Sequence, residues 1–482
     1  MLRLASRTLK LAWKLLLASL LGGAIVAAVL ISFYVNSLPE LKVWHDVHLD
    51  GEFDRTSPIT SFEEYLALED RLFQELDRRI VERVPPGDRT PVNRYSRGSD
   101  SDPARWPHDW NRSFELTVPE PRAGALLLHG MSDSPYSLRH VGSLLHERGA
   151  WVVGLRVPGH GTAPSGLTTV TWEDMAAAVR IAVRHLRDRI GDRPLYLVGY
   201  SNGAALSVQY ALAALDDPAL PRVQGLVLFS PMIGVTPAAA FAIWQERLGR
   251  ALGIDELKYT SITPEYDPFK YGSFAVNAGN QTYRLTKEIR QRIAAADMSA
   301  FPPVLALQSA VDSTVSTPDL VSVLMQHLPE NGSELVLFDI NRQTHIEYLL
   351  RSDPAGPLRA LLASGRQPFV LTVLTNRDEG SADVVLRQRR PHQREATPRE
   401  TGMSWPGDVF SLGHIALPFP ASDPLYGDGR TPSPGIALGN VALRGEKGAL
   451  RVTAADMLRI RWNPFFPWVQ QRILDFVQRR PD

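Results

Sequence analysis

Ser201 sits between two glycines in Gly199-Tyr200-Ser201-Asn202-Gly203. An apolar run, Leu195 to Val198, ends at the first glycine, and a helical run, Ala204 to Leu215, follows the second. This strand–turn–helix setting is what a nucleophile elbow requires. A serine hydroxyl is a weak nucleophile. It must project from a tight turn towards a base while a backbone N–H faces the oxyanion that develops on attack. Glycines flanking the serine let strand and helix backbones approach closely. The alternative, a Gly-rich turn holding an incidental serine, accounts less well for the flanks and for the residues downstream.

Those residues are an acid and a choice of bases. Asp312 stands in Ser309-Ala310-Val311-Asp312-Ser313-Thr314-Val315, just past the apolar strand Val304 to Gln308; it could instead cap a helix beginning near Pro318. His345 follows a strand (Leu335 to Asp339) in Asn341-Arg342-Gln343-Thr344-His345, and leads into Ile346-Glu347-Tyr348. His414 stands in Ser411-Leu412-Gly413-His414-Ile415-Ala416 after an extended run. Residue types and spacing leave both histidines open as the base. His129-Gly130, after the strand Ala125 to Leu128, and Gly159-His160-Gly161, after Trp151 to Leu155, mark two further loops at strand ends.

The elements that must position these groups alternate from Phe114 onward. Continuous apolar strands are followed by helices at about Ser137–Gly149, at Trp172–Ile190 and after Ser201, and Val223 to Phe229 is a further strand. Such a pattern predicts a mostly parallel sheet covered on both faces, with active residues in the loops beyond the strand C-terminal ends. Between Ser230 and Pro302 the rhythm breaks. An Ala-rich helical segment and Tyr259, Tyr266, Phe269, Tyr271 and Phe274 predict a cap whose aromatics wall an apolar pocket; extra packing is the alternative. Phe369–Thr375 and Asp383–Leu386 read as a hairpin, followed by a polar loop whose Arg387, Arg389, Arg390 and Arg394 read as a solvated face. The chain closes on an amphipathic helix to Val477.

Upstream, Ser61-Phe62-Glu63-Glu64 has the form of a capping box opening an amphipathic helix, and Gly87 to Asn111 reads as an exposed connector. Before these, Leu15 to Val35 is an apolar stretch of about 21 residues, long enough to span a bilayer as a helix. Arg3, Arg7, Lys10 and Lys14 precede it, which places the N-terminus in the cytoplasm and the remainder outside, periplasmic if the cell is bacterial. A cleaved signal peptide is the rival, but its apolar core is shorter and ends at a small-x-small site that Phe33-Tyr34-Val35-Asn36 does not supply.

Composition narrows the classes. The 482 residues are 44% hydrophobic and 22% charged, with 52 basic and 52 acidic side chains, which is globular composition without the basic footprint of a nucleic-acid binder. The chain has no cysteine, so disulfides, thiolate metal sites and thiol catalysis are out. No oligomeric state is signalled.

Together, His129-Gly130, Gly159-His160-Gly161, Gly199-Tyr200-Ser201-Asn202-Gly203 and Asp312 followed by Val315 resemble the α/β-hydrolase superfamily, and within it the monoglyceride lipase, lysophospholipase and serine aminopeptidase-like group, over about residues 121–350. The resemblance implies Ser201 as nucleophile, Asp312 as the acid orienting the histidine, and the backbone N–H groups of Met131 and Asn202 as oxyanion hole. It makes His160 structural. The stretch around His414 resembles a Ser-Leu-x-His-x-Ala segment of larger, membrane-anchored members, which selects His414 over His345 as base. The expected organisation is an anchor over 1–36, an extension and connector over 37–120, and a hydrolase domain over 121–482. That domain would carry a cap at about 231–302 and an expanded acid-to-base region at about 346–409. The expected activity is hydrolysis of carboxylic esters, of small-molecule or lipid type, with no metal or organic cofactor; amide cleavage and a catalytically silent binding role are the alternatives.

Overall fold

A computed structural model of the chain describes residues 38–234, 254–344, 367–393, 396–439 and 460–479, together with part of 13–33. Ten strands form one sheet: β1 (Phe114–Leu116), β2 (Ala123–Leu128), β3 (Ala150–Leu155), β4 (Leu195–Tyr200), β5 (Gly225–Phe229), β6 (Val304–Ser309), β7 (Glu334–Phe338), β8 (Val370–Asn376), β9 (Asp383–Arg389) and β10 (Thr397–Ser404). Their spatial order is β1-β3-β2-β4-β5-β6-β7-β8-β9-β10. All pairings from β3 to β8 are parallel, while β1 and the β8–β9–β10 edge are antiparallel. The expected hairpin is present as β8 and β9, with Leu374 opposite Leu386.

Side chains alternate between the two faces, as a strand period of two demands. Leu126, Leu128, Leu197, Leu226, Ala306 and Leu335 join one core with helices α1 (Phe62–Arg79), α3 (Trp172–Ile190), α4 (Asn202–Asp216) and α5 (Val276–Ala295). Ala125, Leu127, Val198, Val227, Leu305 and Val336 join the other with α2 (Arg139–Glu147) and α6 (Phe466–Val477). Strands buried on both faces explain the unbroken apolar runs in the sequence. This mostly parallel sheet with helices on both sides is the arrangement that the strand–helix alternation predicts.

The segment before β1 is built into the domain, not laid against it. Ser61 caps α1, its hydroxyl accepting from the Glu64 N–H while the Glu64 carboxylate accepts from the Ser61 N–H. On the buried face of α1, Glu69 accepts from the Ser113 N–H at 2.7 Å and from Arg156 Nε at 3.2 Å. Arg156 follows β3, is fully buried, and is also held by Glu52 at 3.0 Å; the Tyr65 hydroxyl donates to its carbonyl at 2.6 Å. The stretch expected as an exposed connector is exposed at many positions but buries a set of its side chains. Asn93, Arg94, Tyr95, Ser101, Trp106 and Asn111 are buried, and Arg94 donates to Asn111 Oδ1 at 2.9 Å. Polar composition misled here because these groups satisfy one another inside the fold.

Among the described residues no helix is long and apolar enough to cross a membrane, and part of Leu15–Val35 lies outside the described residues, so the span expected there is not supported. Two other expectations are corrected. The polar stretch after β9 contains a tenth strand, and Arg389 is buried, bonded to Gln367, rather than solvated. Helix α2 begins two residues later than expected, after a 3₁₀ turn over Pro135–Leu138. The Ala-rich segment after Gly234, His345 and Arg394 lie outside the described residues.

Candidate active site

Ser201 occupies the sharp turn between β4 and α4 with φ +54° and ψ −113°, a conformation that a side chain other than glycine rarely adopts. The turn is over-determined. A Cβ on Gly203 would lie 1.9 Å from the Leu128 carbonyl oxygen, and one on Gly199 would lie 2.4 Å from Ala204 Cα. The Ser201 N–H donates to the Phe229 carbonyl at 2.9 Å, and its own carbonyl accepts from Met232 N at 3.2 Å. Backbone strain is thus held by the two neighbouring strands, and the hydroxyl stands clear at the sheet's C-terminal edge.

His414 Nε2 lies 3.1 Å from Ser201 Oγ, and His414 Nδ1 lies 2.9 Å from Asp312 Oδ2. The Asp312 side chain is fully buried and His414 nearly so. Burial pushes the Asp312 carboxyl upward, but His414 beside it and the N–H groups of Val315 and Thr314 outweigh this and hold it below its ordinary value. The second Asp312 oxygen accepts from Thr314 N at 2.8 Å and Val315 N at 3.1 Å, so the acid is spent on orienting the imidazole and closing its own turn. Ser316, not Asp312, caps the short helix that begins at Thr317.

The loop carrying His414 is fastened from several strand ends. Ser309, the last residue of β6, donates to the Leu412 carbonyl at 2.8 Å. Ser230, just past β5, and the Tyr200 hydroxyl each approach the His414 carbonyl at 3.4 Å. Asn341, beyond β7, donates from its side chain to Val409 at 2.9 Å and from its backbone to Phe410 at 2.6 Å. Further along, Asp423 is buried and receives Arg139 Nη2 at 2.8 Å, His140 Nε2 at 2.9 Å and the Tyr136 hydroxyl at 3.0 Å. Those three partners follow the loop that holds Met131.

Met131 follows β2 and lines the cavity with Ser201, and Asn202 follows the serine at the start of α4. Neither backbone N–H donates to a backbone acceptor among the described residues, and that of Asn202 is the first of a helix, where no intrahelical acceptor exists. His129 shapes the Met131 loop from behind. Burial pushes its pKa well below the ordinary value, so it is neutral, with Nε2 accepting from Val157 N at 3.0 Å and Nδ1 donating to Gly130 O at 2.9 Å. His160 is also fully buried; burial pushes it down to about 4, and its Nδ1 serves the Pro158 carbonyl at 3.0 Å. It stands outside the cavity, in line with a structural role.

The cavity over Ser201 measures about 340 Å³ and opens between the sheet edge and α5. Met131, Met232, Phe274 and Ile415 supply apolar wall, Ser132, Thr282 and Thr314 supply hydroxyls, and Lys270 supplies a cation. Of the aromatics expected to form the wall, only Phe274 lines it. Tyr259, Phe269 and Tyr271 are buried packing, with the Tyr259 hydroxyl on the His45 carbonyl at 2.9 Å and the Tyr271 N–H on the Ser132 carbonyl at 2.7 Å. Sequence reasoning missed Tyr200 and Lys270; the only signal for Lys270 was a single positive charge inside a run of aromatics. Among the described residues no group of three or more His, Asp or Glu side chains is placed to hold a metal ion.

An imidazole held between a carboxylate and a serine hydroxyl can accept the serine proton on one nitrogen while the other is fixed as a donor. Comparison with known proteins agrees with a hydrolase. Residues 119–341 match the family model described as serine aminopeptidase, S33. A thermostable monoacylglycerol lipase from Bacillus sp. (strain H-257) is 22% identical over 213 residues, 44% of this chain and 79% of that one. Among solved structures, one from work on LipS and LipT, two metagenome-derived lipolytic enzymes, is 22% identical, with 52% of this chain and 96% of that one covered and a TM-score of 0.39. A soluble variant of monoglyceride lipase from Saccharomyces cerevisiae, in complex with a substrate analogue, is 14% identical, with 47% and 82% covered and a TM-score of 0.38. The family match and the lipase relative are thus likenesses to hydrolases of the lipase- and aminopeptidase-like group.

Proposed function

We propose that the chain is a serine hydrolase that cleaves carboxylic esters of acylglycerol or lysophospholipid type through an acyl-enzyme. The observation that carries this reading is the line Ser201 Oγ, His414, Asp312, with contacts of 3.1 Å and 2.9 Å. In the reaction, Ser201 Oγ bonds to the ester carbonyl carbon as its proton passes to His414 Nε2. The carbonyl oxygen, now carrying the charge, accepts from the N–H groups of Met131 and Asn202. The bond to the alcohol breaks, and His414 returns the proton to the leaving oxygen. Water then attacks the acyl-serine, giving its proton to His414, and the carboxylic acid leaves as Ser201 recovers its proton. Asp312 stays ionised throughout and fixes the imidazole's tautomer.

The monoacylglycerol lipase relative and the mixed apolar and hydroxyl lining of the cavity support an ester of this type. The serine aminopeptidase match favours amide cleavage as the second reading, since the same three groups serve both. Incubation of purified protein with a fluorophosphonate probe, followed by turnover of matched ester and amide substrates, decides among them. Labelling at Ser201 with preferred ester turnover is expected. Preferred amide turnover would favour the peptidase reading, and a protein that neither labels nor turns over would be a silent hydrolase fold.

We further propose that residues 1–36 anchor the protein, with the catalytic domain outside the cytoplasm. The support is the Leu15–Val35 run and its basic flank, together with the exposure of its described large apolar side chains, from Val29 at 48% to Phe33 at 74%.

A further inference from the structure

Lys270 lines the cavity over Ser201, and the loop around it is pinned on both sides. Phe269 is buried and stacked on Tyr136 with ring centroids 4.4 Å apart. Tyr271 is buried, its N–H on the Ser132 carbonyl at 2.7 Å and its hydroxyl on the Gly159 carbonyl at 3.3 Å. Asp267, at the start of the loop, accepts from Phe269 N at 2.9 Å and from the Tyr426 hydroxyl at 2.5 Å. With both neighbours buried, the half-buried Lys270 is the member of the loop turned to the cavity.

No described carboxylate forms an ion pair with this ammonium. Asp133 feels its charge, yet the Asp133 carboxyl is buried and bonded to the Ser137 hydroxyl. Among the described lining residues Lys270 is the one cationic side chain, since His414 is already bonded to Ser201 and Asp312. A neutral ester that fills the cavity would strip water from the ammonium and give nothing in return, which is costly for a charge. An ester bearing its own anion would neutralise it with a charge-assisted hydrogen bond.

We propose that Lys270 is a specificity residue that selects ester substrates carrying an anionic group, a phosphate or a carboxylate, a few bonds from the scissile carbonyl. This rests on the hydrolase reading above and names the substrate class of the same cavity. The reaction is unchanged; the anion is held by Lys270 while Ser201 attacks the ester.

The test measures kcat/KM of the full chain on three esters matched in acyl group: a monoacylglycerol, the same compound with a 3-phosphate, and a hemiester bearing a carboxylate. The readout is the ratio of each anionic substrate to the neutral one. Lys270→Met should lower that ratio roughly tenfold to a hundredfold, the range for a hydrogen bond to a charged group, and Lys270→Arg should largely restore it. A fall in the phosphate arm alone identifies phosphate as the anion, and a fall in the carboxylate arm alone identifies carboxylate. An unchanged ratio in both arms overturns the proposal, while fluorophosphonate labelling of the wild type would show that the hydrolase reading survives it. Should Lys270→Met fail to fold, the wild-type ratio between about 0.05 M and about 0.5 M salt decides: a fall with salt supports the pairing, and an insensitive ratio overturns it.

Discussion

His414 Nε2 stands 3.1 Å from the hydroxyl of Ser201, a residue 213 positions earlier in the chain. Between Asp312 and His414 the chain adds β7, β8, β9 and β10 to the sheet edge and then returns to the C-terminal ends of β5, β6 and β7. The return is held by side chains from each of those ends, so the base is placed by the sheet and not by its neighbours in sequence.

Ser201→Ala should leave the fold intact and lower ester hydrolysis by a factor on the order of 10⁴–10⁶, as in other enzymes whose triad acts as a unit. Steady-state turnover of the purified variant, with contaminating esterases excluded by probe labelling, checks this. Substantial residual activity would remove the proposed mechanism.

Only one imidazole can fill the space between Ser201 and Asp312, and His414 fills it. His414→Ala should therefore abolish turnover, whereas His345→Ala should cost little. A dead His345 variant beside an active His414 variant would reverse the assignment.

Glu69→Ala should destabilise the protein by about 3 kcal/mol, because it leaves the Ser113 donors and part of a fully buried Arg156 without their acceptor. Urea denaturation gives the value. A change within experimental noise would show that the segment before β1 is an appendage and not part of the domain.

Asp133 gives a pH dependence of known sign. Burial is the main cause that raises its carboxyl from 3.8 to about 6, with the nearby Lys270 opposing. As pH rises from about 4 to about 6, the unfolded chain releases this proton while the native state keeps it, so stability falls; above that window the penalty is complete, on the order of 2–3 kcal/mol. Asp133→Asn should flatten that part of the stability–pH curve, read from thermal midpoints. An equal slope in both proteins would place the effect elsewhere.

The full chain should remain in the membrane fraction through a carbonate wash, and a chain beginning at residue 38 should be released, because the apolar run lies wholly before it. Protease added to intact spheroplasts should reach the catalytic domain. A soluble full-length protein, or a shielded domain, would count against the anchor or its orientation.

Much of the fold is legible in the residues alone because it is set by local physics. Unbroken apolar runs define β2 to β7, the Ser61/Glu64 box opens α1, and two glycines mark the elbow where Ser201 must strain its backbone. The absence of cysteine removes a whole branch of chemistry. Strand β10 escaped because an exposed edge strand such as Thr397–Ser404 has no buried face to impose alternation. Residue types and spacing had left two histidines open, and only the path of the chain brings His414 to Ser201. Only packing turns Tyr259 and Tyr271 away from the cavity and leaves Lys270 facing it. Likewise Asn93, Arg94 and Asn111, in the polar run Gly87–Asn111, read as solvated until their partners fold around them. These outcomes depend on contacts between residues far apart in sequence, and such contacts have no local periodicity to announce them.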